Sequence, residues 1–288
     1  MKNMKKKHPK TNHPYFASLA VLLAVTLLFS NLYGSFSVPS FGQSTSSTHS
    51  VSHVRAKKKN WKVTVIGNSL LRLGDQTKYL KSIAKLYGTN LTINYQLIDG
   101  STLHDHLTDV KRKQNGTRKA LKTADIVIFQ EYGTRYETTY KDITAMRKYM
   151  RSSARSYYYM TEFDDYNPFQ TTQTGYLQKI KKSGVGIIEA ESLIQALMTM
   201  GYAYKDLHMP GDYHPNTNNG YSCSILMYCQ LFNKKCTDYP VNKCPKSYRS
   251  FLKGKNLTQK RKKLREILEQ AENIRLQKGI SIFAGEQH

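Results

Sequence analysis

From residue 61 onward, short runs of β-branched and aromatic residues alternate with stretches whose apolar positions recur every three or four residues. WKVTVIG (61–67), LTINYQLI (91–98), ADIVIFQ (124–130), SYYYMTEF (156–163) and VGIIEA (185–190) are expected strands. The third is almost continuously apolar, which places it in the centre of a sheet buried on both faces. Helical periodicity predicts helices over 76–88, 140–150, 171–182, 191–200, 218–232 and 258–277. In the first of these Tyr79, Leu80, Ile83 and Leu86 share one side, and Gly88 stops the helix. In the last, Leu264, Ile267, Leu268, Ala271 and Ile274 form an apolar stripe with basic residues opposite. Strands and helices in this alternation imply a parallel sheet with helices on both faces.

Residues 1–60 follow a different pattern. A basic stretch, 1–14, with Lys2, Lys5, Lys6, Lys7 and Lys10, precedes the apolar run FASLAVLLAVTLLF (16–29), and no charged residue lies between Lys10 and Arg55. This is the pattern of a signal peptide or a signal anchor. The 14-residue run suits a cleaved signal; extended over 15–33 it approaches the ~20 residues that span a bilayer. Cleavage sites of small residues are poor near its end, so an uncleaved anchor is favoured, with 1–14 cytoplasmic and the remainder outside the cell. Residues 34–60 are rich in Ser and Thr with scattered apolar positions and are expected to be a flexible linker. One folded domain, 61–288, is expected to follow.

The charge balance narrows the partners. The chain has 44 Lys and Arg against 20 Asp and Glu, a net charge of +24. With the nine basic residues of 1–60 set aside, 61–288 still carries +15, which predicts attraction to polyanions. Acidic cell-envelope polymers, anionic lipid head groups and nucleic acid share that chemistry; nucleic acid conflicts with an export signal and has no recognisable motif here. The four cysteines, Cys223, Cys229, Cys236 and Cys244, lack the paired spacing of a zinc site, so no metal is expected. Export permits a disulfide, expected between Cys236 and Cys244, with Cys223 and Cys229 as buried small apolar residues.

Candidate chemistry gathers at the ends of the expected strands, where parallel α/β sheets bind ligands. The first strand ends in GNSL (67–70), with Ser69 at the start of a helix. A Ser there caps a helix or, equally, holds a nucleophile. LIDGSTLHDHL follows the second strand, IFQEYGT ends the third, and MPGDYHPNTNNGY precedes the 218–232 helix. A Ser nucleophile needs a base and donors for the oxyanion it creates. Ser69 and His214 supply the first pair; the Ser69 and Gly100 backbone N–H groups and the Gln130 amide are candidates for the second.

GNSL, DGSTL after strand two, FQE after strand three and DYHPN before a late helix together resemble the SGNH (GDSL-type) hydrolases. The likeness is to the branch with a Gly-Asn-Ser first block and a Gln-Glu third block. In that branch a Gly is followed by Thr-Leu-x-x-His, which Gly100, Thr102, Leu103 and His106 echo. The resemblance spans about 62–235. It implies a three-layer α/β/α sandwich with a flavodoxin-like, five-stranded parallel sheet. It also implies ester hydrolysis by Ser69 and His214 with Asp212 as the acid, without metal or cofactor. Asn68, His106 and Glu131 are expected at the substrate. Two departures stand out. The catalytic Asp of the family often lies three residues before His, where this chain has Gly211, so Asp212 sits at unusual spacing and Asp206 is an alternative. Gln130 occupies the place of the third-block Asn, with the same amide on a longer arm.

These features lead to the expectation of an exported serine esterase, membrane-anchored or secreted, that removes acyl groups, acetyl foremost, from carbohydrate or cell-envelope polymers. An O-acyltransferase on the same fold is a near alternative. A catalytically inactive basic surface protein that binds envelope polyanions is a more distant one.

Overall fold

The computed structural model describes residues 60–131, 136–161 and 179–283. Residues 1–59, which include the expected basic tail, apolar segment and most of the linker, lie outside the described residues. Among the described residues no helix is long and apolar enough to cross a membrane.

Five strands form one parallel sheet: β1 (Trp61–Gly67), β2 (Leu91–Leu97), β3 (Ile126–Gln130), β4 (Arg155–Tyr159) and β5 (Gly186–Ile188). Their spatial order is β2-β1-β3-β4-β5, which is the flavodoxin-like order and places a topological switch between β1 and β3. Every strand expected from the sequence is present, β4 one residue earlier at its start; 162–163, the end of the expected fourth strand, fall outside the described residues.

Alternation along each strand divides the core into two layers. Val63 and Val65 of β1, with Ile126 and Ile128 of β3, pack into one cluster; Ile66, Val127 and Phe129 pack into the other. The first cluster is closed by α2 (Gln76–Leu86), α6 (Ala190–Thr199), α8 (Thr217–Phe232) and α10 (Leu257–Phe283). The second is closed by α3 (Leu103–Arg112), α4 (Thr117–Thr123) and α5 (Tyr136–Arg147). The sheet is therefore covered on both faces. The shorter helices α1 (Ser69–Arg72), α7 (Tyr204–Leu207) and α9 (Lys246–Phe251) complete the connections.

Helices α3 and α4 are absent from the sequence expectations. In α3 only Leu103, Leu107 and Val110 face the core among charged and polar neighbours, a stripe too narrow to stand out by periodicity. Its start is marked by a capping box, in which the Thr102 side chain and Asp105 exchange bonds with each other's backbone N–H. Of the expected 171–182 helix, 171–178 lie outside the described residues and 179–182 are helical.

The expected Cys236–Cys244 disulfide is not formed, and all four cysteines are buried thiols. Cys244 Sγ faces the Pro245 carbonyl at 3.8 Å, and burial pushes its thiol up to about 11. Cys236 instead meets Cys229 at the end of α8; this contact, followed by burial, raises its thiol far above the ordinary range. The turn between them folds back because Lys234 N–H bonds the Cys229 carbonyl, which brings Cys236 to Cys229 rather than to Cys244.

Candidate active site

β1 ends on Gly67, and its role is space rather than a special turn. Gly67 stays in the strand, but a Cβ there would stand 2.4 Å from Gln130 Oε1. The missing side chain lets Gln130 reach across from β3 and accept the Asn68 N–H at 2.8 Å. Asn68 then caps α1: its Oδ1 accepts from Leu70 N–H at 3.0 Å while its Nδ2 donates to the Ser101 carbonyl at 3.0 Å. Ser69 is the first residue of α1, with its hydroxyl at the carboxyl edge of the sheet.

The loop before α8 approaches from the other side. Gly211 takes φ +71°, a conformation open to glycine at little cost. The resulting turn is closed by Asp212 N–H to the Met209 carbonyl (3.1 Å) and Met209 N–H to the His214 carbonyl (2.9 Å). Asn216 anchors its far end: its Oδ1 caps α8, and its Nδ2 donates to the Asp206 and His208 carbonyls. Within this frame Ser69 Oγ lies 2.8 Å from His214 Nε2, and His214 Nδ1 lies 2.8 Å from Asp212 Oδ2. Tyr213 stacks on the imidazole at 4.6 Å between ring centres. The hydrogen bond to His214 is the main reason that the Asp212 carboxyl sits below its ordinary range. The two-residue spacing is bridged because the tight turn directs the Asp212 side chain back along its own loop, where it also accepts the His214 N–H at 3.3 Å. Asp206, the other candidate acid, is occupied at the start of α7, where it accepts the Ala203 N–H.

Two backbone N–H groups at neighbouring strand ends, those of Ser69 after β1 and Gly100 after β2, are candidates to receive an oxyanion. Among the described residues neither Ser69 N–H nor Gly100 N–H has a hydrogen-bond partner within the protein. Gly100 has φ +69° and is exposed, with nothing within 4 Å of where a Cβ would be.

Other expected site residues are placed differently. Gln130 was expected to offer its amide to an oxyanion, but it is 1% exposed and its Nε2 donates to the Glu131 carbonyl. The longer arm folds back over Gly67, so both amide atoms are spent inside the protein. Asn68 is fully buried with its polar atoms engaged as described, and it holds the turn rather than facing a substrate. Glu131, also buried, accepts the Leu103 N–H at 3.2 Å and the Thr139 hydroxyl at 3.2 Å, satisfying the start of α3. His106 is buried too, with Nε2 at 2.9 Å from the Gly67 carbonyl and 3.0 Å from Ser101 Oγ. These corrections share one cause. A strand end and a helix start buried together leave backbone groups that only nearby polar side chains can satisfy.

His106 yields a pH prediction. The Gly67 carbonyl can only accept, so the proton sits on Nε2, and Nδ1 is buried with no partner among the described residues. Burial holds this imidazole below its ordinary range. Below pH ~6.5 the unfolded chain takes up a proton that the folded chain refuses, so stability falls as pH drops through that range. NMR titration is expected to show His106 taking up its proton only below the ordinary imidazole range, while the melting temperature declines as pH falls below ~6.5. A His106 that titrates at or above the ordinary imidazole value would contradict this.

Beside the Ser–His pair lies a hollow of about 310 Å3 including its open mouth, walled by Leu70, Ala190, Ile194, Tyr213 and Pro215. The Thr161 hydroxyl lines it, buried and, among the described residues, without a hydrogen-bond partner. Neither this hollow nor the Arg72–Asp99 ion pair beside Ser69 had a signal in the sequence. Both join residues from separate strand ends. Among the described residues no group of His, Cys, Asp and Glu is arranged to hold a metal ion.

No protein-family model matches the sequence, and no curated protein matches it significantly. Solved structures do resemble it. A DUF4886 family protein from Bacteroides uniformis aligns over 75% of this chain and 95% of its own, at 17% identity and a TM-score of 0.54. A protein from Slackia heliotrinireducens assigned to the SGNH hydrolases aligns over 59% of this chain and 97% of its own, at 16% identity and a TM-score of 0.46. A psychrotrophic esterase from Pseudoalteromonas sp. aligns over 60% and 97%, at 14% identity and a TM-score of 0.46. The structural neighbours are thus SGNH-type hydrolases and a DUF4886 family protein. At these identities the likeness is one of fold, and the Bacteroides match carries it.

Proposed function

We propose that the protein is a serine ester hydrolase of SGNH type that removes acyl groups, acetyl foremost, from carbohydrate or cell-envelope polymers outside the cell. The observation that carries this reading is the continuous Ser69–His214–Asp212 hydrogen-bonded chain, 2.8 Å at each link, at the carboxyl edge of a parallel sheet. His214 takes the Ser69 proton as the hydroxyl oxygen attacks the ester carbonyl, and Asp212 stabilises the imidazolium that forms. The Ser69 and Gly100 N–H groups receive the oxyanion, without the Gln130 amide. His214 then protonates the departing alcohol, and water, deprotonated by the same imidazole, releases the acid from Ser69. The hollow flanked by Leu70 and Tyr213, the chain neighbours of Ser69 and His214, is assigned to the acyl group. The test is turnover of p-nitrophenyl acetate by the full chain, with labelling of Ser69 by a fluorophosphonate. A chain that neither turns over the ester nor takes the label, yet binds envelope polymer, would instead be the inactive binding protein. Transfer to an added sugar hydroxyl in place of release to water would make it an acyltransferase.

Localisation and partners form part of the same proposal: residues 15–33 attach or export the chain, and the basic surface meets anionic envelope polymers. Exposed Arg261, Lys262 and Arg265 of α10 support the second point. Binding to such a polymer is expected to weaken steeply as salt rises from about 0.01 to 1 M, where the screening length shrinks from ~30 to ~3 Å. Salt-independent binding would remove the electrostatic account.

A further inference from the structure

We propose that Arg72 and Asp99 form an external clamp that sets the direction of the Gly100 N–H, making it and the Ser69 N–H a single oxyanion site. This rests on the ester-hydrolase reading above.

Residues 98–101 form a turn, closed by Ser101 N–H to the Ile98 carbonyl at 3.1 Å. Both ends of the turn are tied down from inside. Ile98 N–H donates to the Gly67 carbonyl at 3.1 Å, and the Ser101 carbonyl accepts from Asn68 Nδ2 at 3.0 Å. Ser101 Oγ donates to the Ile98 carbonyl at 2.7 Å and meets His106 Nε2 at 3.0 Å. The two apex residues, Asp99 and Gly100, are both exposed and lack this support.

That apex is where geometry is least determined. Gly100 has φ +69°, the value for the third residue of a type II turn. Rotating the Asp99–Gly100 peptide by about half a turn converts type II to type I and reverses the direction of the Gly100 N–H, with little change at either end. No side chain of Gly100 packs against anything to resist this.

The side chain of Asp99 supplies the resistance. Arg72 Nε donates to Asp99 Oδ1 at 2.8 Å, and Nη2 donates to Oδ2, a parallel two-bond fork. The same interaction holds the Asp99 carboxyl below its ordinary range. Arg72 is the last residue of α1, the helix that Ser69 begins, one turn away. The fork therefore ties the peptide carrying one donor to the short helix carrying the other donor and the nucleophile. An exposed ion pair contributes little to global stability. A small misplacement of a catalytic group, in contrast, costs up to ~10²-fold in rate.

The experiment uses the full chain, as Arg72→Met, Asp99→Asn, the double variant, and the exchange of the two side chains, Arg72→Asp with Asp99→Arg. With p-nitrophenyl acetate each single change is expected to lower kcat roughly 10- to 100-fold with KM within about twofold. The double variant should be no slower than either single one, because both remove the same fork. The exchange should regain part of the loss. Raising salt to ~1 M should slow the parent but not the variants. Melting temperatures should stay close to the parent's. An NMR resonance of the Arg72 Nε–H, protected in the parent and lost in Asp99→Asn, reports the fork without reference to activity. Full kcat in both single variants of an active parent overturns the clamp and leaves the hydrolase reading intact, as do additive losses. A rise in KM alone assigns Arg72 to substrate binding and overturns it too. A parent that turns over no ester overturns the hydrolase reading, and the clamp's catalytic role falls with it.

Discussion

Alanine at Ser69 or at His214 is expected to remove nearly all ester hydrolysis, a loss of ~10⁴- to 10⁶-fold in kcat from either change alone. The two groups share one proton along a 2.8 Å contact, so neither retains its function without the other. The double variant should accordingly be about as slow as each single one, since losses within a cooperating unit do not add. Residual rate above the uncatalysed reaction is expected from the Ser69 and Gly100 N–H groups, which these changes leave in place. Asp212→Asn should retain more activity than either: its side chain is 39% exposed, and water partly replaces the charge it presents to His214. Gln130→Ala should act on stability rather than on the oxyanion, because its amide bonds Asn68 and Glu131. Steady-state kinetics of the five variants, beside fluorophosphonate labelling, decide the matter. Undiminished hydrolysis by Ser69→Ala would exclude the mechanism outright.

Gly220→Ala is expected to give the largest loss of stability from a single methyl group. The added carbon would stand 1.6 Å from the Gly74 carbonyl oxygen and 2.6 Å from its carbonyl carbon. Backbone atoms cannot rotate away as a side chain would, so α8 and the turn between α1 and α2 must separate. Overpacking of this type costs about 1–3 kcal/mol. For a domain of this size each kcal/mol lowers the melting temperature by about 2–4 °C. The same movement pulls the start of α8, and with it the His214 loop, away from Ser69. Activity should therefore decline at temperatures well below the melting transition. Thermal denaturation followed by circular dichroism measures the first effect and kinetics the second. A melting temperature within about 2 °C of the parent's would show that the close approach of α8 is not required.

The sheet was legible because its central strands, β1 and β3, are buried almost throughout. Apolar runs such as IVIFQ mark the central strands, and β-branched and aromatic residues between stops such as Gly88 mark the others, without any knowledge of neighbours. The same holds for α8 and α10, whose apolar positions are many. Helix α3 was not legible, because only Leu103, Leu107 and Val110 of its residues reach the core cluster. The cysteines show the complementary limit. Their spacing suggested Cys236–Cys244, whereas the fold-back after α8 placed Cys236 against Cys229.

At the candidate site the division follows the range of the interaction. Residue type beside a strand end or helix start is local information, and by itself the sequence determined that Ser69 and Gly100 follow strands and that His214 precedes a helix. It also determined the basic, apolar and Ser/Thr-rich order of residues 1–60. Which polar groups face outward was decided only by the tertiary structure. Asn68, His106, Gln130 and Glu131 have the chemistry of binding residues. Once β1, β3 and α3 pack together, however, buried backbone groups claim their hydrogen bonds. Asp212 gained its place in the opposite way: a glycine turn brought a residue of unfavourable spacing onto His214. The Arg72–Asp99 fork joins residues 27 positions apart. A hydrogen bond is satisfied by whatever lies within about 3 Å, and chain order does not report that distance.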